Sequence, residues 1–367
     1  MSKVKVSGGG RCNVTNGSAS IAQVSKAYPR GAKLLKKVLR VFNTTDTQRW
    51  FNQRGVQLKT EEDGRVFPVS NSSQSIIDCL LREMNSLGVA IISSKSVTAI
   101  EDGGKKVELK FKTSSAQFDK VIVATGGTPK LSGFDWLQDL DIDIISPVPS
   151  LFTFNIPGNP ITQLMGVVAE NAIVRVPGLK HVSSGPLLIT HWGMSGPAVL
   201  KLSAFAAREL AERGYDHTLQ VNWIGENNHD EVYDFLHHLF SQNPKKQLGS
   251  VRPYKIPSRL WEYFIDKANL VKTKPCQEIG KKSIHKITSL LTQDIYSIKG
   301  KTTFKEEFVT CGGISLSSIH HDTLQAKSHP NVYFAGEVLD IDGITGGYNF
   351  QAAWSTGFIA GKLKSKE

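Results

Sequence analysis

The sequence predicts a protein of the α/β class whose chain leaves one domain and later returns to it. A buried apolar strand followed by a glycine turn is predicted at 118–127, and a strand, a turn and a helix follow one another at 331–361. Between these segments, four prolines at positions 147–160 mark a change in composition. The chain after that change is β-rich and then helical, and the first pattern resumes only near residue 309.

The composition is typical of a globular protein with two or three domains. The chain has 367 residues, of which 40% are hydrophobic and 21% are charged. No apolar run approaches the roughly 18 residues that a membrane span needs. No hydrophobic signal region follows Met1. A cytoplasmic protein without membrane contacts is therefore expected.

Positive charge is concentrated in the first 60 residues. They contain twelve Lys and Arg and a single acid, Asp46, so the whole net charge of +11 lies there. The helical spacing of the basic residues Lys33, Lys36, Lys37 and Arg40 against Leu34, Leu35, Val38, Leu39 and Phe42 predicts a helix with one basic and one apolar face. Three interpretations remain: a solvated face, a surface for a polyanion such as RNA, or cations that face a cofactor pyrophosphate.

Secondary-structure signals follow in order along the chain. The first 150 residues predict a strand at 4–6, a glycine-rich loop at 7–16, basic helices to about 54, a hairpin at 56–69, a helix at 72–87 and strands at 89–92, 97–101 and 107–111. Further along, residues 151–221 are predicted to be mostly strands with a helix at 197–212, residues 228–291 helical and residues 292–308 strands. We therefore predict three domains: 1–150 with 309–367, 151–221 with 292–308, and 222–291.

The segment at 331–361 has features of a site for a phosphate-bearing cofactor. A glycine pair precedes its helix, whose first backbone amides have no partner within the helix. Glu337 and Asp340 lie in the turn, where a carboxylate can accept hydrogen bonds from a ribose or ring group. An ordinary strand–turn–helix is the simpler alternative.

The loop at 7–16 has a complementary composition. Consecutive glycines remove steric bulk, and Arg11 can donate two parallel hydrogen bonds to a phosphate or carbonyl. Cys12 lies in this loop, where a thiol of lowered pKa is conceivable. The four cysteines lack metal-ligand spacing and are expected to be reduced thiols. A histidine at 191 is expected to be structural; no catalytic residue and no metal ligand is predicted.

Taken in order, five motifs resemble one family. Ser-Gly-Gly-Gly-Arg-Cys-Asn-Val-Thr-Asn (7–16), Gly-Arg-Val-Phe-Pro-Val-Ser (64–70), Ala-Thr-Gly-Gly (124–127), Thr-His-Trp-Gly-Met-Ser-Gly-Pro (190–197) and Gly-Glu-Val-Leu-Asp through Gly-Gly-Tyr-Asn-Phe-Gln (336–351) are similar to the YhiN-type flavoproteins, also described as aminoacetone oxidase-like or BaiN-like. The resemblance spans nearly the whole chain. It implies an FAD-binding, Rossmann-like domain interrupted by a β-barrel-like domain that carries a small helical insertion.

The resemblance also implies the residues that contact FAD. The implied set is Ser7, Gly8, Gly9, Gly10, Arg11, Cys12, Asn13, Val97, Thr125, Gly126, Gly127, Gly336, Glu337, Asp340, Gly346, Gly347, Tyr348, Asn349, Phe350 and Gln351. Residues 8–13 and 346–351 would line the flavin ring and its ribityl and pyrophosphate arm, with Glu337 and Asp340 nearby. Val97 would offer backbone to the adenine, and residues 125–127 would pack beside the ADP portion.

The chain as given departs from the family at its start. Family members have a strand–G-x-G-x-x-G–helix unit before the 7–16 motif, so roughly 40 residues of that pattern are absent and the Rossmann-like domain is N-terminally incomplete. A start-site error in the gene model is expected rather than an evolved short form. The expected consequences are exposed apolar strand edges and impaired FAD binding by the chain as given.

The resemblance implies an FAD-dependent oxidoreductase, with NAD(P)H as a candidate electron donor. The expected reaction is reduction of an electron-poor C=C, with a uridine of ribosomal RNA as one candidate substrate because the first 60 residues are basic. The alternatives are a small-amine (aminoketone) oxidase that produces peroxide, and a flavin-free remnant that binds RNA or protein. The oligomeric state is not predicted.

Overall fold

The computed structural model describes residues 1–302 and 309–364 and contains both helices and strands. The helices are α1 (Ser2–Val6), α2 (Ile21–Lys26), α3 (Ala32–Val38), α4 (Thr44–Asn52), α5 (Gln74–Ser86), α6 (Pro197–Phe205), α7 (Ala207–Glu212), α8 (His229–Gln242), α9 (Ser258–Lys267), α10 (Lys281–Gln293) and α11 (Tyr348–Ala360). None of these helices has the length and hydrophobicity needed to cross a membrane.

The strands form five sheets among the described residues. They are β1 (Thr15–Asn16), β2 (Leu58–Thr60), β3 (Arg65–Pro68), β4 (Val97–Asp102), β5 (Val107–Phe111), β6 (Ser115–Phe118), β7 (Val121–Val123), β8 (Ile144–Ser150), β9 (Thr153–Asn155), β10 (Val168–Arg175), β11 (Val182–Ile189), β12 (Gly193–Ser195), β13 (Asp216–Asn222), β14 (Asp294–Lys299), β15 (Lys301–Thr302), β16 (Val309–Ile314) and β17 (Val332–Phe334). The strand prediction at 292–308 is confirmed by β14 and β15 between residues 294 and 302, whereas residues 292 and 293 end the helix α10. Residues 303–308 lie outside the described residues.

Contacts divide the described chain into two compact units. The first comprises residues 1–150 and 309–364, and the second comprises residues 151–302. The chain therefore leaves the first unit near residue 150 and returns to it. The finer three-domain division stays a prediction.

The core of the first unit is built around a parallel strand pair. β17 pairs with β7, with Tyr333 opposite Ile122, and its three residues are buried. An antiparallel sheet in the order β4-β5-β6 belongs to the same unit. The basic, amphipathic helix is confirmed as α3, because its leucines are buried and Lys33 and Lys36 are exposed; the exposed Arg40 lies just after the helix.

Two strand predictions in this unit are wrong. Residues 4–6 belong to the helix α1, whose Val4 is buried in a small cluster that also contains Cys12 and Phe51. Residues 89–92 form no strand, and the side chains of Ile91 and Ile92 are 60% and 71% exposed. No described strand pairs with this segment, and an isolated strand is marginal in water because its backbone groups gain no ladder partners. The apolar sequence of the segment does not show whether a partner strand is available.

The second unit contains one large antiparallel sheet. Its strand order is β14-β13-β10-β11-β12-β9-β15. The interior of the unit is apolar, and Trp261, Phe264 and Leu236 from the helices α8 and α9 are all fully buried in it. The helical segment predicted after residue 228 corresponds to α8, α9 and α10. The closure of the sheet into a barrel stays a prediction.

His217 on β13 is a buried histidine that should make the second unit acid-sensitive. It is 7% exposed, neither ring nitrogen has a hydrogen-bond partner among the described residues, and its ring lies 5.1 Å from that of Phe154. Burial, reinforced by Arg213, lowers the pKa of His217 to about 4, although Asp216 acts in the opposite direction. The native protein therefore holds this ring neutral.

We expect the stability of the second unit to fall as the pH drops from about 6.5 to about 4. In that window the unfolded chain binds a proton that the folded chain does not, which costs up to about 3 kcal/mol. His217→Phe keeps an apolar ring and should remove this dependence, as measured by urea unfolding at several pH values. The exposed His191→Phe should leave it unchanged. An unaltered acid dependence in His217→Phe would contradict this assignment.

Candidate functional site

The structure brings together the two glycine-rich motifs from opposite ends of the chain. The Asn16 side chain donates to the Gly346 carbonyl oxygen over 3.3 Å, although the two residues are 330 positions apart. Trp354 of α11 donates to the Val14 carbonyl oxygen over 2.9 Å. With its side-chain amide assigned the orientation that satisfies both groups, Asn13 accepts from the Gly347 N–H and donates to the Thr15 carbonyl oxygen, at 2.9 and 3.1 Å. These bonds make one site from the motifs at 7–16 and 336–351.

The N-terminus of α11 is held firmly within this site. The Asn349 side chain both accepts from the Gly343 N–H and donates to the Gly343 carbonyl oxygen, at 2.8 and 2.9 Å. The Tyr28 hydroxyl donates to the Tyr348 carbonyl oxygen over 2.8 Å. The first intrahelical bond starts at the Gln351 N–H, so the amides of residues 348–350 lie ahead of the hydrogen-bond ladder. They are in position to bind an anion.

The loop at 7–10 adds an open concave backbone. Gly8, Gly9 and Gly10 all have positive φ, at 58°, 66° and 83°. A side chain built on Gly9 or Gly10 would meet nothing within 4 Å, so space lies beside this backbone. Successive backbone N–H groups in turn conformations form concave anion-binding surfaces. The N–H groups of Arg11 and Cys12 already donate to the Gly8 and Ser7 carbonyl oxygens, so the donors that could face an anion are those of the glycines. This glycine loop and the α11 N-terminus fit the phosphates and flat ring of a dinucleotide cofactor.

Glu337 joins two predicted segments of the site with the helix α1. Its carboxylate is paired with Lys3 of α1 over 2.7 Å and accepts from the Thr310 N–H over 3.0 Å. The turn at 126–127 lies against it, because a Cβ on Gly127 would stand 2.9 Å from Glu337 Oε1. The Thr310 hydroxyl is buried without a hydrogen-bond partner among the described residues. The Ala-Thr-Gly-Gly turn, Glu337 and α1 therefore meet at one place.

Several predicted site residues have their side chains engaged by the protein. Arg11 is paired with Glu61, and its guanidinium lies 3.9 Å from the centroid of the Phe67 ring. Gln351 is fully buried; it accepts from the Thr15 hydroxyl over 2.5 Å and also from Thr47. These side chains therefore stabilise the site through contacts within the protein.

The remaining predicted residues lie in different surroundings. Val97 begins β4, opposite Phe111. Thr125 is exposed after β7, and the Asp340 N–H donates to the Ile314 carbonyl oxygen over 2.9 Å. Phe350 stacks on Trp354 with ring centroids 5.8 Å apart. Ser7 donates to the Val4 carbonyl oxygen over 3.0 Å.

The interpretation that Cys12 carries a thiol of lowered pKa is wrong. Its side chain is fully buried, and burial raises its pKa to about 11, with a smaller opposite effect from a hydrogen bond with Ser7. The thiolate that nucleophilic chemistry needs is therefore disfavoured. The residue packs with Val4 and Val14 beneath the glycine loop. All four cysteines are buried, and none forms a disulfide.

Sequence reasoning missed a buried ion pair behind the loop that leads into α11. Arg30 donates through Nε and Nη2 to the two carboxylate oxygens of Asp342, whose side chain has no exposed area. Ser150 donates to the same carboxylate over 2.6 Å. Burial raises the pKa of Asp342, while Arg30 and Ser150 counteract it. The local signal was the Tyr-Pro-Arg-Gly sequence at 28–31, which predicts a turn but not the ion pair.

Comparisons with known proteins agree across the whole chain. The family model described as "HI0933-like protein Rossmann domain" matches residues 1–363. A 3-dehydro-bile acid delta(4,6)-reductase of Clostridium scindens is 24% identical over 372 residues, 99% of this chain and 90% of the relative. A ribosomal RNA dihydrouridine synthase of Haemophilus influenzae is 27% identical over 377 residues, with 100% and 90% covered. The Escherichia coli protein of the same name is 25% identical over 365 residues, with 96% and 86% covered.

Proposed function

Because the chain belongs to the HI0933-like family of Rossmann-domain proteins, we propose that it is an FAD-dependent oxidoreductase. The family assignment confirms the resemblance drawn from the five motifs. The observation that carries the proposal is the site formed where residues 13–16, which follow the glycine loop at 7–10, contact the N-terminus of α11. Its backbone donors, open space and rigid support are what a bound dinucleotide requires.

The roles of the site residues follow from their positions. The amides of residues 348–350 and the loop at 7–10 would hold the negatively charged and carbonyl groups of the cofactor. Asn13 and Asn349 fix the two backbone segments by bonds to Gly347 and Gly343, and Glu337 would accept from a hydroxyl group. Bound FAD supplies hydride chemistry, which suits reduction of an electron-poor C=C.

We further propose that the reduced C=C belongs to a uridine of ribosomal RNA. Two similar proteins have names that state this activity. The exposed Lys33 and Lys36 of α3, with the exposed Arg40 just after the helix, supply charge complementary to RNA phosphates. Lys37 on the same helix is paired with Asp322 over 2.5 Å. The bile acid reductase among the relatives also reduces a substrate, as its name states.

Flavin retention is the first test of this proposal. Purified protein incubated with FAD and then freed of unbound cofactor should keep a flavin absorbance spectrum. With an electron donor such as NADPH, it should consume an enone probe. Absence of bound flavin would overturn the oxidoreductase proposal and favour a flavin-free binding protein. Peroxide formed from aminoketones without enone reduction would instead favour the amine oxidase.

The RNA substrate is tested separately by mapping modified nucleotides. Ribosomal RNA from a strain that lacks this gene should lose one dihydrouridine, and the reintroduced gene should restore it. A Gly347→Ala gene, in which the site is disrupted, serves as the matched control and should not restore it. An unchanged modification map with intact flavin binding would overturn the RNA substrate and leave the oxidoreductase proposal standing.

A further inference from the structure

The helical part of the second unit carries a column of planar side chains at its surface. His229, Tyr233 and His237 follow one another at four-residue spacing on α8, and His285 of α10 stacks beside them. The centroids of Tyr233 and His285 are 4.1 Å apart with the rings inclined by 20°. His285 to His229 is 6.3 Å at 13°, and Tyr233 to His237 is 6.2 Å at 18°. His237 and His285 are exposed.

Exposed lysines lie at one end of this column. α8 and α10 run antiparallel, since His229 at the start of α8 is 3.4 Å from Ser289 near the end of α10. Lys281 and Lys282, at the start of α10, therefore lie near the C-terminal half of α8, and Lys286 follows His285 in the column. Backbone bonds from Cys276 to Lys246 and from Gln277 to Pro244 bring a further lysine pair, 245 and 246, to the same end.

The balance of charge at this end is positive. None of the five lysines forms an ion pair with another described residue, although Glu278 lies among them. The acids of α8, Asp230, Glu231 and Asp234, belong to its first half. The lysine-rich end thus carries cations that the described protein leaves without carboxylate partners.

We propose that this surface binds single-stranded RNA, with bases stacked on the imidazole and phenol rings and phosphates held by the lysines. Base stacking on exposed planar side chains beside a positively charged track is how proteins bind single strands. The proposal deepens the RNA substrate proposed above and rests on it. It does not depend on flavin chemistry.

The test is an anisotropy titration of the full-length protein with a fluorescein-labelled oligouridine. His237→Ala/His285→Ala should weaken binding about thirtyfold or more, because two stacking faces are lost. Lys281→Gln/Lys282→Gln/Lys286→Gln should weaken binding and lower the dependence of log K on log salt by about 2, at roughly 0.7 per phosphate contact. Phe235→Ala is the matched control, because this exposed ring lies on the same helix and packs on Tyr254 instead.

The outcomes separate the claims. The proposal is supported if the histidine and the lysine variants both bind more weakly and Phe235→Ala binds as the native protein does. Native-like binding by both the histidine and the lysine variants overturns it. A loss confined to the lysine variant overturns base stacking and favours non-specific attraction of a polyanion. The flavin content of each variant is measured in the same samples, so a failure of RNA binding with flavin retained leaves the oxidoreductase proposal intact.

Discussion

Gly347→Ala is expected to unfold the candidate site and abolish flavin binding. Gly347 has φ of +85°, and an added Cβ would stand 2.3 Å from the Thr15 carbonyl oxygen and 2.4 Å from its carbonyl carbon. These are backbone atoms of β1, which is paired with β3 through Thr15 and Val66. No side-chain rotation can relieve the contact, so either α11 or β1 must move.

The expected cost is about 3–5 kcal/mol, from overpacking together with a left-handed conformation in a residue that has a Cβ. That is a large share of a typical domain stability of roughly 5–15 kcal/mol. Urea unfolding gives the loss of stability, and the flavin spectrum after incubation with FAD gives the loss of binding. The two measurements are independent of catalytic activity.

Two other glycines provide controls. Gly357 lies within α11 with nothing near its would-be Cβ, so Gly357→Ala should stabilise the protein by up to about 1 kcal/mol. Gly9 has positive φ but open space around it, so Gly9→Ala should cost only about 1–2 kcal/mol. A Gly347→Ala protein as stable as Gly9→Ala would show that the close approach to Thr15 is not a constraint.

Local patterns predicted much of the first unit because their causes are local. The buried and exposed positions of α3 follow from helical periodicity alone, so Leu34 and Leu35 are buried and Lys36 is exposed as expected. The glycine run at 8–10 was recognisable because positive φ values favour that residue. The convergence of both motifs was implied only by the family resemblance.

Features that depend on distant partners were not predictable from the sequence. The conformation of Val4 depends on a cluster with Cys12 and Phe51. The alternating Lys-Val-Lys-Val sequence at 3–6 is equally typical of a strand. Cys12 was expected in an open loop, yet the loop closes over it. The partner of Arg30 is 312 residues away, and the local sequence around either residue does not predict the other as its partner.

Arg30→Met is expected to cost about 3–5 kcal/mol, because it leaves the Asp342 carboxylate buried without its cation. The lost pair also frees the loop before α11, which Arg30 joins through a backbone bridge to Asp342, so flavin affinity should fall as well. Removing the cation raises the pKa of Asp342 further. The variant should therefore lose less stability relative to the native protein at acid pH, where protonation neutralises the uncompensated charge.

The double variant Arg30→Met/Asp342→Leu distinguishes the charge from the packing. Replacing both partners by apolar side chains removes the buried charge, and such replacements are often neutral or stabilising. We expect the double variant to recover most of the stability that Arg30→Met loses, and to show no pH dependence of that loss. Urea unfolding of both variants between neutral and acid pH measures this. If the double variant is as unstable as Arg30→Met at every pH, the pair acts by shape and hydrogen bonding rather than by compensating a buried charge.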